Sequence, residues 1–302
     1  MQVVHQSVLV SEVLEYLAPD DADRLMVDAT VGEGGHSVCF LQRYPSLSIV
    51  GVDADSAMIE RARERLEGYG ERVTLVHHWF DTYFQTGHGS RQPFRILMDL
   101  GVSMYHFAAA GRGFSFRDEG PLDMRLDAAD PLDPASATAA DLVNSLPENE
   151  LADIIYQYGE ERLSRRIAAA ICRERKQSRI TDASKLADVV RGAVPASYRH
   201  GRIHPATRTF QALRIAVNSE LERIRRALPA AQELLLPGGR LGVIAFHSLE
   251  DRIVKHQFRE AADTGDYLLV NRKPIVATDE EKRANPAART AKLRVIERAG
   301  AA

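Results

Sequence analysis

Apolar residues at Leu9, Val13, Leu14 and Leu17 recur at helical spacing and predict an amphipathic helix over residues 8–17. After it the pattern alternates. Short apolar runs at 25–30 (LMVDAT), 47–55 (LSIVGVDAD), 73–78 (VTLVHH) and 95–101 (RILMDLG) read as strands, and residues 34–44 and 56–69 read as helices. Apolar strands alternating with helices predict a parallel sheet covered on both faces. The rhythm lapses over 104–205, where Pro-Leu-Asp and Ala-rich stretches lead into helical patterns striped by Leu151, Ile154, Ile155 and Tyr158. We read that segment as a mostly helical insertion. Beyond it, residues 207–235 predict one long helix and GGRLGVIAFHS a fifth strand ending at His247. Residues 248–262 predict a helix with Ser248 as N-cap and Asp251 completing a capping box. YLLVNRKPI and AKLRVIER read as a closing antiparallel pair. The expected division is 1–103 with 206–302 for the sheet domain and 104–205 for the inserted one.

The loop after the first strand, VDATVGEGGHS (27–37), changes the picture from fold to chemistry. A strand, a glycine loop and a helix start suggest a nucleotide site. Gly32, Gly34 and Gly35 are followed by Ser37 where a dinucleotide fingerprint wants its third glycine, and Glu33 places a carboxylate inside the loop. That charge would repel a pyrophosphate and suits a sulfonium and an ammonium, so the loop favours S-adenosylmethionine over NAD. Asp53, at the end of the second strand, is spaced to take the ribose hydroxyls. Trp79 and Phe80 follow the third strand, where an aromatic ring stacks on adenine or packs in the core. Asp99 ends the fourth strand, where a methyl acceptor would dock, and His247 should face the same crevice or orient its turn.

Composition narrows the class. The chain has 302 residues, 45% hydrophobic and 27% charged, an ordinary globular make-up. No apolar run reaches the roughly 18 residues of a membrane helix, and MQVVHQSVLV lacks a signal pattern. Cys39 and Cys172 form neither a disulfide framework nor a zinc pattern, and no metal cluster is visible. The expectation is a cytoplasmic protein without membrane contact. A net charge of −3 conceals an asymmetry: residues 118–160 hold eleven acids against Arg125, and residues 161–202 hold eleven Lys/Arg against four acids. The second stretch is either a set of solvated helix faces or a surface for a polyanion.

Seven blocks then occur in order: MDLGVS (98–103), RGFSF (112–116), GPLDMRLD (120–127), YGEERLSRRIA (158–168), HPATRTFQALRIAVNSEL (204–221), GGRLGVIAFHSLEDRIVK (238–255) and NPAARTAKLRV (285–295). Together they closely resemble the RsmH (MraW) family of ribosomal RNA methyltransferases over nearly the whole chain. The resemblance implies a Rossmann-like class I S-adenosylmethionine-dependent methyltransferase sheet with an inserted, mostly helical domain. It also implies methylation of N4 of a cytidine in 16S rRNA of the small ribosomal subunit, the decoding-centre cytidine conventionally numbered 1402. Carried across position by position, the family's cofactor contacts fall on Gly34, Gly35, His36, Asp53, Phe80 and Asp99, with Gly32 in the same loop. Where relatives have Gln after the DLGVSS run, this chain has His106, with Met104 for the second serine; Ser7 stands where many relatives have Pro.

Cytosine N4 is a weak nucleophile because its lone pair is delocalised into the ring, so a site must accept hydrogen bonds from the amine and absorb developing positive charge. Asp99 is the first candidate, with His247 beside it as a second proton acceptor. Gln211, Arg214 and Asn218 form a polar stripe inside an apolar helix face, read either as buried networking or as a grip on the target nucleotide; Arg208 precedes them as a phosphate contact. Arg165 and Arg166 belong to the basic run Arg162–Arg179 and are candidates for gripping the RNA backbone. A homodimer is left open. Two rivals remain: a small-molecule methyltransferase acting on free nucleosides, and an RNA-binding assembly factor that retains a cofactor pocket without transferring methyl. A dehydrogenase fits worse, given Glu33 and Ser37.

Overall fold

The computed structural model describes residues 6–20, 24–86, 91–108, 111–116, 120–127, 137–201 and 203–300, and the chain divides into two compact units, Met1–Gly101 with Leu221–Ala302, and Val102–Glu220.

The first unit is built on one sheet. Its strands are β1 (Arg24–Asp28), β2 (Leu47–Asp53), β3 (Val73–His77), β4 (Arg95–Asp99), β5 (Arg240–Ala245), β6 (Tyr267–Leu269), β7 (Ile275–Val276) and β8 (Lys292–Arg298). They lie in the order β3-β2-β1-β4-β5-β8-β6, with β7 beside β8. β1 to β5 are parallel, and β8 runs antiparallel to β5, β6 and β7. Met26, Ile96, Leu97, Met98, Val243 and Ile244 are wholly buried, as expected of central parallel strands covered on both faces. The chain steps outward from β1 to β3 and then returns to place β4 on the other side of β1. The loops after β1 and β4 therefore diverge, and a crevice opens at their carboxyl ends. This topology is that of a class I methyltransferase sheet.

The second unit is helical: Ala139–Ser145, Glu148–Gly159, Ser164–Gln177, Ala183–Ala193 and Thr207–Asn218 enclose a core of Leu151, Ile155, Ile167, Ile171, Leu186, Val190, Phe210 and Leu213. Two readings need correction here. The expected long helix over 207–235 is two helices, Thr207–Asn218 and Glu220–Leu234, separated by Ser219 in the left-handed conformation (φ 49°, ψ 36°). The break lets Arg214 reach Glu220 with two hydrogen bonds of 2.8 and 2.9 Å. On a continuous helix, residues six apart sit about 120° apart around the axis and cannot pair. The units divide at this break, so Thr207–Asn218, expected with the sheet from residue 206, packs in the helical unit against Glu148–Gly159.

Candidate active site

The turn after β1 is shaped by its glycines and tied down by β2. Gly32 (φ 52°) and Gly34 (φ 77°) occupy the left-handed region, and a Cβ on Gly34 would stand 3.1 Å from Leu66. The Asp53 carboxylate accepts the Gly32 N–H through Oδ2 and the Asp55 N–H through Oδ1, both at 2.9 Å. Asp53 thereby fixes the glycine turn from the end of β2, where a carboxylate can also accept from ribose hydroxyls. Helix Gly35–Arg43 begins directly after the turn.

The electrostatics concentrate on the ends of β1 and β4. Asp28 is 2% exposed; burial pushes its carboxyl up to about 6, against the pull of donors from Ser37 Oγ at 2.7 Å and Thr30. The Asp99 amide donates to Thr30 Oγ1 at 2.7 Å, and its Oδ2 lies 3.7 Å from His36 Nδ1. Burial, then the neighbouring charges of Asp28 and Glu250, hold the Asp99 carboxyl well above the ordinary range, and its Oδ1 is buried without a hydrogen bond among the described residues. His36 brings no positive charge: burial lowers it to about 4, and Nε2 donates to the Val8 carbonyl at 2.9 Å, leaving Nδ1 as a lone pair toward Asp99. Two crowded carboxylates beside a neutral imidazole suit a cationic guest and would repel a pyrophosphate.

Glu33, the loop carboxylate expected to favour a cation, has Arg61 Nη1 3.4 Å away, which offsets part of its charge. One face of Trp79 is covered by the Arg223 guanidinium, 3.7 Å from the ring centroid. Arg223 and Arg226 also converge on the buried Asp81 at 2.8 and 2.6 Å. Half-buried Phe80 opens the helix Phe80–Thr86 directly after this cluster.

His247 lies two residues beyond the end of β5 and is itself the N-cap of helix Ser248–Asp263, in place of the expected Ser248. Its partner at the third helical position is Glu250 rather than Asp251, because Glu250 Oε2 captures the amides of Phe246 and His247 at 2.8 and 3.1 Å. The Glu250 amide points to His247 Nδ1 at 3.4 Å, and Nε2 sits 3.2 Å from Glu250 Oε1. The imidazole is turned onto its own helix start. Asp251 pairs instead with Arg294 and Lys292 at 2.7 and 3.2 Å.

The remaining candidates lie in the helical unit. His106 is buried in the short helix Met104–Ala108 and packs on Phe114, with ring centroids 5.3 Å apart. Gln211 donates to the Tyr158 carbonyl at 3.2 Å. Asn218 is 3% exposed and clamps the 120–127 turn, donating to Met124 O and accepting from Leu126 N–H, both at 2.8 Å. With Arg214 held by Glu220, the polar stripe is built into the unit's own hydrogen bonding. Arg208 is 43% exposed with a contact to Glu161 at 4.0 Å, and Arg165 and Arg166 are exposed on helix Ser164–Gln177.

Asp28, Thr30, Ser37 and Glu250 were not singled out as site residues. Asp28 had a visible signal, a carboxylate closing an apolar strand before the glycine turn. Thr30 and Ser37 had none beyond their hydroxyls.

S-Adenosylmethionine passes a test of fit here: the Asp28 and Asp99 carboxyls, both of raised proton affinity, for a cationic group, a turn whose Gly32 and Gly34 hold left-handed conformations, and a ribose acceptor at the end of β2. Gly32, Gly34, Gly35, His36, Asp53 and Asp99 would hold it, with Phe80 following β3. Comparison with known proteins agrees. Residues 2–299 match the model of the MraW methylase family. Proteins named ribosomal RNA small subunit methyltransferase H are similar along their length: that of Treponema denticola is 49% identical (98% of each chain covered), and that of Synechococcus elongatus 48% (97% of this chain and 94% of the other). Among solved structures, an rRNA methylase from Streptococcus thermophilus aligns with TM-score 0.44 at 10% identity (96% and 93% covered), and a Streptococcus mutans protein in complex with SAH with TM-score 0.44 at 13% (97% and 98%). With both its sheet topology and its sequence pointing the same way, the chain belongs to the MraW methylase family of S-adenosylmethionine-dependent methyltransferases.

Proposed function

We propose that the protein methylates N4 of a cytidine in 16S rRNA of the small ribosomal subunit, at the decoding-centre position numbered 1402, in the cytoplasm. The observation that carries this reading is Asp99: a buried carboxylate at the mouth of β4 whose Oδ1 makes no hydrogen bond among the described residues and whose proton affinity is raised. When bound, S-adenosylmethionine supplies an electrophilic methyl group. Asp99 Oδ1 accepts a hydrogen bond from the N4 amine, which draws the nitrogen toward a pyramidal geometry and exposes its lone pair. Forming the N–C bond, with the methyl–sulfur bond breaking and its electron pair leaving on sulfur, would make the nitrogen cationic, and Asp99 would take the proton it must lose; a carboxylate of raised affinity is suited to that task. His247, turned onto Glu250, shapes the start of the helix after β5. Asp53 and the glycine turn would hold the cofactor in place for in-line transfer.

A cytosine within a stacked helix is out of reach, so the target base must be unpaired or flipped out. The exposed arginines of Ser164–Gln177 supply a backbone-gripping surface, and the names of the similar proteins support a small-subunit substrate. A small-molecule methyltransferase would differ in substrate requirement. Labelled S-adenosylmethionine should give transfer to small subunits from cells lacking the enzyme and none to free cytidine. Equal turnover on the free nucleoside would overturn the reading. With Asp99→Asn, transfer should fall by about 100-fold or more, the scale on which removal of one stabilising group in a reacting centre is felt.

A further inference from the structure

A feature of the sheet unit lies outside these contacts. Residues 6–9 run across the end of the glycine loop, where helix Gly35–Arg43 begins. The Val8 carbonyl accepts from His36 Nε2 at 2.9 Å, and Ser7 lies so close that a Cβ on Gly35 would come within 2.1 Å of its Oγ. Val8 and Leu9 are 1% and 0% exposed. Leu9 holds a left-handed backbone conformation (φ 53°), which a leucine adopts only when its surroundings impose it. What imposes it is distant in sequence. The Leu9 amide donates to Glu281 Oε1 at 2.6 Å, and Asn285 Nδ2 donates to the Gln6 carbonyl at 3.1 Å. Glu281 belongs to the helix Asp279–Ala284, between β7 and β8, and is half-buried.

The consequence falls on His36. A carbonyl only accepts, so Val8 requires the proton on Nε2 and leaves the Nδ1 lone pair toward Asp99. If the segment shifts, the imidazole loses the partner that selects this tautomer, and Asp99 loses a fixed neighbour. We propose that Glu281 is a positioning residue for S-adenosylmethionine binding: by holding the Leu9 amide it seats residues 6–9 on the glycine loop, and through Val8 it fixes the tautomer of His36. Asn285 assists from the other end of the segment. The inference rests on the cofactor site alone and is independent of which nucleotide is methylated.

The test measures cofactor affinity by calorimetry and the His36 tautomer by imidazole 15N resonances in the cofactor-free protein. Wild type should show the Nε2–H form. Glu281→Ala should weaken binding of S-adenosylmethionine and its demethylated product by about fivefold to tenfold, the worth of a hydrogen bond of ordinary strength, and should move the 15N signals toward the tautomer average. Glu281→Gln keeps an acceptor for the Leu9 amide and should restore both readouts. Asn285→Asp retains the acceptor that caps Ala287 while removing the donor to Gln6; it should weaken binding in the same sense, and it carries the test if Glu281→Ala does not fold. Wild-type affinity in a folded Glu281→Ala or Asn285→Asp protein would overturn the proposal. So would weakened binding with unchanged His36 signals. Failure of the wild-type protein to methylate rRNA, with the affinity and tautomer shifts present in the variants, would count against the substrate reading and not against the role of Glu281.

Discussion

Asp28 is a carboxyl kept buried at the end of β1 at the expense of stability. Its carboxyl titrates at about 6 in the folded protein, against roughly 3.9 in an unfolded chain. Between those values the folded state holds more protons than the unfolded one, so stability attributable to Asp28 falls as pH rises through this window. His36, lowered to about 4, acts in the opposite sense over an overlapping range, which masks the effect in wild type. Asp28→Asn isolates it. The variant should be more stable than the wild type by about 1–3 kcal/mol near neutral pH, with the difference vanishing below about pH 4, and it should bind S-adenosylmethionine more weakly. Denaturant titrations of both cofactor-free proteins across that range check the sign; an Asn variant less stable at neutral pH would refute it. Glu33 carries the complementary lesson. Its presence in the loop was legible, but Arg61, 28 residues on, was not readable as its partner because that contact depends on how the following helix lies against the loop.

At the scale of elements, the parallel strands, the glycine turn and the helices beside them were legible because period and turn chemistry are local properties. The ends of elements were less so. His247 replaced Ser248 as N-cap because β5 stops at Ala245 and Glu250, one residue before the expected Asp251, gathers the two free amides. The hinge at Ser219 left no mark in the apolar periodicity, which runs through it; it became visible only as a serine in the conformation that helix ends ordinarily assign to glycine. Ser219→Gly should therefore stabilise the protein by about 0.5–1 kcal/mol, because the exposed serine gives up left-handed strain and no buried contact. Thermal unfolding checks this; a lowered Tm would mean that the serine hydroxyl holds the break. The polar stripe was legible as an anomaly but not in its purpose. Asn218 and Arg214 find partners at Met124, Leu126 and Glu220, contacts fixed by a turn distant in sequence and by the helix break.

At the scale of the molecule, charge is sorted by location. The crevice end of the sheet gathers Asp28, Asp99 and Glu250, while helix Ser164–Gln177 exposes Arg165, Arg166, Arg173 and Lys176. Arg175 on the same helix is spent internally, on the carbonyls of Val143 and Leu146 at 2.9 and 2.8 Å, so the basic run contributes fewer free cations than its sequence suggests. Replacing Arg165 and Arg166 with Glu should weaken RNA binding and flatten its salt dependence while leaving cofactor affinity unchanged. A variant that binds RNA with wild-type affinity and an unchanged salt dependence would remove this helix from the interface. The most direct measurement is mass-spectrometric mapping of the nucleoside labelled when the purified protein and methyl-labelled S-adenosylmethionine are given small subunits lacking the modification. The expected product is a cytidine carrying the label on N4 at a single decoding-centre position, absent with Asp99→Asn; label on a ribose oxygen, on ring carbon or on another base would contradict it.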